Sequence, residues 1–170
     1  WGGNSNSVSH KLNNVINIWA SAGAFAALKS DGSVITWGFT NRGGDSSSVA
    51  DQLMNDVVKI IPTGFSFAAL KQDGSVVTWG AELVGGDSSS VAEKLSSNVK
   101  EVFRNQNAFA ALKNDGSVVT WGDYAKGGNS DKVANDLASG VDKIFSNGYA
   151  FAALKNDGSV VTWGMKDGGG

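Results

Sequence analysis

Phe25-Ala26-Ala27-Leu28-Lys29-Ser30-Asp31-Gly32-Ser33-Val34-Ile35-Thr36-Trp37-Gly38 returns three more times, at Phe67–Gly80, Phe109–Gly122 and Phe151–Gly164. Twelve of its fourteen positions are identical in every copy, and successive copies begin 42 residues apart. A period of this size marks a propeller, a solenoid or an array, whose units bury their faces only against neighbours. Within the stretch, Asp-Gly predicts a tight turn between two strands, with glycine in the left-handed backbone region. The strands alternate without a polar face. In the third copy Phe109 and Ala111 share a side, as do Val119 and Trp121, while Ala110, Leu112 and Val118 point the other way. A sheet apolar on both faces must be covered on both.

The rest of each repeat follows one order. After Trp-Gly come variable residues, then Gly-Gly, then Asp45, Asp87 or Asn129 with a Ser-rich run; Asn4 holds the matching place in the first repeat. These side chains suit the N-cap of a short helix. Val49, Leu53 and Val57, then Val91, Leu95 and Val99, then Val133, Leu137 and Val141 continue it at i, i+4 and i+8, with Val8, Leu12 and Ile16 in the first repeat. An apolar strand is predicted next, at Ile16–Trp19, Val58–Ile61, Lys100–Phe103 and Asp142–Phe145, before a second variable linker leads into the hairpin. The reading is one repeat domain over 1–170, with repeats 1–36, 37–78, 79–120 and 121–162 and a closing or continuing segment 163–170. With Trp1 at the front and Gly168-Gly169-Gly170 at the end, the chain reads as a piece of something longer.

Composition narrows the function. The net charge is −2 and no Lys/Arg block stands out, so a nucleic-acid footprint is absent. Apolar runs are a few residues long, which argues against membrane insertion by a helix. There is no cysteine, hence no disulfide or thiolate chemistry. The 23 glycines against one proline suit turn-rich β structure.

Ala-Leu-Lys-x-Asp-Gly-Ser-Val-x-Thr-Trp-Gly, a Gly-Gly step and a closing apolar strand resemble the RCC1 (regulator of chromosome condensation) repeat in short, bacterial-type form. The resemblance covers every unit and implies a mainly β propeller with short helices. The repeats here are shorter, and there are four where that family has seven. The histidine usual before the first hairpin strand is Ala24, Ser66, Ala108 or Ala150. An open β-solenoid or repeat array is the alternative architecture.

Candidate chemistry is sparse. Gly44-Asp45-Ser46 and Gly86-Asp87-Ser88 have the form of a serine-esterase nucleophile, but His10 is the only histidine and lies far from both in sequence. Gly-Gly is not followed by the Lys-Ser/Thr of a phosphate loop. Asp31, Asp73, Asp115 and Asp157 are accounted for by turn formation without a calcium role. No catalytic, cofactor or metal residue is assigned. Differences between copies fall instead on the segments flanking the hairpin's open end. There Phe39, Arg42, Phe65, Glu82, Arg104, Gln106, Tyr124, Lys126 and Tyr149 form a possible interaction rim.

The expected function is a non-enzymatic structural or protein-interaction repeat module of a large bacterial surface or extracellular protein, a cytoplasmic setting also being compatible. Self-association or neighbouring repeats are the expected partners. The alternatives are a lectin-like glycan-binding propeller and an RCC1-type exchange-factor scaffold.

Overall fold

The computed structural model describes residues 3–170. Twelve strands form four three-stranded antiparallel sheets, each a simple meander. The first holds β1 (Val15–Ala20), β2 (Ala24–Lys29) and β3 (Val34–Gly38); the second β4 (Val57–Pro62), β5 (Ser66–Lys71) and β6 (Val76–Gly80). The third holds β7 (Val99–Arg104), β8 (Ala108–Lys113) and β9 (Val118–Gly122); the fourth β10 (Val141–Ser146), β11 (Ala150–Lys155) and β12 (Val160–Gly164). The sheets are propeller blades. Their first strands, β1, β4, β7 and β10, adjoin one another in that order, and β3, β6, β9 and β12 lie outermost.

The two-sided hairpin behaves as its alternation requires. Phe109, Ala111, Val119 and Trp121 enter the core shared with the second blade, while Ala108, Ala110 and Leu112 enter the core shared with the fourth. Alanines lie at zero exposure where a neighbouring blade approaches. Within each blade Phe stacks on the Trp opposite it, with centroids 5.1–5.3 Å apart. Three of the four indoles then cross a joint: Trp79, Trp121 and Trp163 Nε1–H donate to the carbonyls of Gly43, Gly85 and Gly127 of the preceding unit.

Three cores therefore hold the chain together, between blades one and two, two and three, and three and four. Among the described residues no such core joins the fourth blade to the first. The segment after Trp163 stays on its own blade, Met165 N–H donating to the Tyr149 carbonyl and Gly170 N–H to that of Met165.

The Ser-rich segments differ from the predicted amphipathic helix. They are 3-10 turns, at Ser9–Lys11, Ser47–Leu53, Ser89–Val91 and Asp131–Val133. Consecutive serines are weak helix formers, and so short a run does not repay helix nucleation. Asp45, Asp87, Asn129 and Asn4 cap no helix; their Oδ1 atoms accept the N–H two residues on, at 2.8–3.1 Å. Leu53, Leu95 and Leu137 still plug the joints, each at most 2 % exposed. Val57, Val99 and Val141, however, are the first residues of strands. In the first blade Val15 takes that register position opposite Lys29, and Ile16 is exposed. Each inner strand runs one residue further in both directions than predicted.

Candidate interaction rim

The two ends of the blades differ. At one end the Asp-Gly turns repeat nearly unchanged. Asp31, Asp73, Asp115 and Asp157 each accept the hydroxyl of the serine two residues on at 2.6 Å and its amide at 2.9 Å. Those bonds, the hydroxyl's foremost, hold all four carboxyls below the ordinary aspartate pKa. The turn glycines sit at φ of +78 to +85°.

At the opposite end the variable segments meet. Phe39, Ala81, Asp123 and Met165 each donate a backbone N–H to the linker before the hairpin, at Gly23, Phe65, Asn107 and Tyr149. A polar side chain at the linker's start locks the pair: Asn105 Nδ2 donates to the Lys126 carbonyl at 2.6 Å, and Ser21, Thr63 and Asn147 hold the same place in their blades. The variable loops are 3-10 turns, Thr40–Arg42, Glu82–Val84, Tyr124–Lys126 and Lys166–Gly168, each followed by a glycine at φ of +91 to +101°.

All nine residues read from the sequence lie on this rim, in distinct groups. Phe39, Arg42 and Phe65 come together across the first joint, the guanidinium lying 5.4 Å from one ring centroid and 5.0 Å from the other. At the third joint Lys126 pairs with Asp123 at 3.2 Å, with Tyr149 on the linker of the same joint's fourth blade. Glu82 and Tyr124 line one groove of about 660 Å³ between neighbouring loops, together with Leu83, Thr120 and Asn129. Arg104, the last residue of β7, and Gln106, on the linker after it, stand apart from these groups; the Gln106 carbonyl accepts from Gly64 N–H and the Arg104 carbonyl from Ser146 Oγ. Leu83, 86 % exposed, was not singled out from the sequence. The available signal was a large apolar side chain where the other copies have Asn41, Ala125 and Asp167.

The serines of the Gly-Asp-Ser triplets are engaged structurally, Ser46 with Thr36 Oγ1 and Ser88 with Thr78 Oγ1, both at 2.9 Å. All four repeated tryptophans are buried, and only edges of Trp79, Trp121 and Trp163 reach the walls of grooves on the surface.

No protein-family model matches the chain, and no curated protein matches it. Solved structures do. Prp20p of Saccharomyces cerevisiae, the yeast RCC1, is similar over 94% of this chain and 46% of its own, with a TM-score of 0.61 at 17% identity. The fold is an RCC1-like repeat propeller. The ectodomain of the receptor kinase CR4 from Physcomitrella patens is similar at a TM-score of 0.59 and 16% identity, over 88% of this chain and 42% of that one. Human WBSCR16 is similar at 0.54 and 20% identity, over 88% and 47%. The chain spans less than half the length of each of these three structures. At such identities the likeness carries the fold alone.

Proposed function

We propose that this RCC1-like chain is a non-enzymatic protein-interaction scaffold that recognises a partner through its variable rim. One observation carries the reading: the two segments that flank each hairpin, where differences of size and charge between copies concentrate, are paired and pinned by a repeated backbone frame. At the opposite end the Asp-Gly-Ser turns themselves are the same in every copy. Loops on a rigid frame are where recognition is placed, and Leu83, Tyr124, Tyr149 and Phe39 supply exposed apolar and aromatic surface there. Prp20p, of similar fold, has binding properties to Gsp1p and histones and is bound by Kap60. An extracellular or surface setting in a larger protein belongs to the same proposal, supported by the short-repeat resemblance; the cysteine-free composition is compatible with it and with a cytoplasmic one. Protease shaving of intact cells checks it: loss of the protein without lysis is the expected result.

The rim itself is tested by photo-crosslinking in cells that make the protein. A photoreactive residue at Leu83 or Tyr124 is expected to give discrete protein adducts, and one at Ser30 or Asn114 none. Equal labelling at both ends, or none at either, overturns the reading. Glycan-array binding that disappears with Tyr124→Ala and Tyr149→Ala would replace it with the lectin alternative.

A further inference from the structure

The three joints between blades are made of the same parts, and the two ends of the chain present those parts unjoined. Two series of backbone bonds cross every joint. Ala22 N–H donates to the Gly64 carbonyl at 2.8 Å, Gly64 to Gln106 at 3.0 Å, and Gln106 to Gly148 at 3.4 Å. The series leaves an acceptor, the Ala22 carbonyl, on the first blade and a donor, Gly148 N–H, on the fourth. In the second series Val57, Val99 and Val141 N–H donate to the turn carbonyls of Gly32, Gly74 and Gly116 of the blade before, at 3.0–3.1 Å. Here the first blade is left with the donor Val15 and the fourth with the acceptor Gly158. Each end thus lacks what the other offers.

The apolar surfaces match in the same sense. Ile18 is 51 % exposed on the first blade, whereas its counterparts Ile60, Val102 and Ile144 are 1–3 % exposed within joints. On the fourth blade Val160 is 61 % exposed against 8 % for Val34, and Phe145 of β10 is 58 % exposed against 6 % for Ile61 at the same place in β4. Gly43, Gly85 and Gly127 each lie against the Phe ring of the next blade, close enough that a Cβ would come within 2.5–2.7 Å of it. Gly169 holds the same loop position and conformation, yet only Asn147 Nδ2, at 3.9 Å, comes near. Phe25, the ring that such a glycine would meet, is half-buried where Phe67, Phe109 and Phe151 are buried.

We propose that the fourth blade of one chain docks on the first blade of a second copy of this chain, head to tail, rebuilding the joint that the chain already makes three times. The interface is continuous in type with the established ones: the same strands, the same donor and acceptor order, the same apolar residues. It is heterologous, so it closes a ring where the blade rotation allows and otherwise extends as a filament. The inference shares with the scaffold reading its premise of a protein partner, but uses the end faces and not the rim.

Ile18→Glu and Val160→Glu each place a charge in one end face, at positions exposed enough to leave the single chain folded; circular dichroism and the unfolding midpoint verify this. Sedimentation of the 170-residue chain from about 1 to 100 µM, the range in which modest interfaces report, is expected to show species larger than a monomer. Either variant alone is expected to lose them. An equimolar mixture of the two is expected to form a dimer, because the Ile18→Glu chain keeps an intact fourth blade and the Val160→Glu chain an intact first one. A wild-type chain that stays monomeric, single variants that still assemble, or a mixture that remains monomeric each overturns the proposal. With the photoreactive residue at Tyr149, Leu83→Ser with Tyr124→Ser is expected to abolish its adducts and leave assembly intact, so the two readings fail separately.

Discussion

Gly85 shows how one residue's backbone and its contacts add. Its φ of +97° is costly for any other residue, and a Cβ there would lie 2.5 Å from the Phe109 ring. Gly85→Ala is expected to lose about 1–2 kcal/mol for the left-handed backbone and a further 1–3 kcal/mol, roughly, for overpacking the joint. Gly169→Ala, at φ +93° with no ring above it in the single chain, is expected to show only the first part. Urea denaturation of dilute protein checks both, and equal losses would refute the packing half of the account. Trp121 offers a second comparison. Replacing it with Phe removes the indole N–H from the buried Gly85 carbonyl while keeping an aromatic in the joint. A loss of about 1–3 kcal/mol is expected from the orphaned acceptor and the smaller ring, read from the same denaturation curves.

Among elements, the Asp-Gly turn contributes most groups to the pH response, Asp45 and Asp87 being lowered as well by the amides of Ser47 and Ser89. Asp31, Asp73, Asp115 and Asp157 have folded-state pKa values below the ordinary 3.8. Lowered carboxylates contribute stability that is fully present above the unfolded-state value and is lost as the pH falls through the folded one. The unfolding midpoint is therefore expected to hold above about pH 5 and to decline progressively below pH 4 or so. A variant with asparagine at all four turns is expected to show a shallower decline; an unchanged slope would remove the turns from the acid response. This hairpin was also the most legible element in the sequence, because turn chemistry, alternation and repetition all act within fourteen residues. The inner strands were legible to within a residue at each end. The Ser-rich segments were not: i, i+4 spacing fits an α-helix and a 3-10 turn leading into a strand equally well, and packing of Leu53, Leu95 and Leu137 into the joints decides between them. The rim's location followed from where the copies differ. Its grouping did not, since Arg42 meets Phe65 only because the first joint brings two repeats' segments together.

At the scale of the whole molecule, stability is close to a sum of blades and the joints between them. The second and third blades are covered on both faces and the first and fourth on one. The burial of equivalent residues records this: Leu112 of β8 is 2 % exposed, while Leu154 of β11 is only half-buried. Local opening should follow the same gradient, because a segment opens more cheaply when fewer apolar contacts hold it. Amide hydrogen exchange on dilute protein is expected to be slowest in β5 and β8 and fastest in β1 and β12, though all four blades share nearly one sequence. Exchange that is uniform across blades would mean that each is stable by itself and that the joints add little. Raising the protein concentration extends the test, since head-to-tail docking would cover the faces left open. Protection in β1 and β12 is then expected to climb toward that of β5 and β8, with the rim loops unchanged. A gradient that persists unaltered at every concentration would leave the end faces as permanent surface, and the fourfold repetition as a property of a single chain alone.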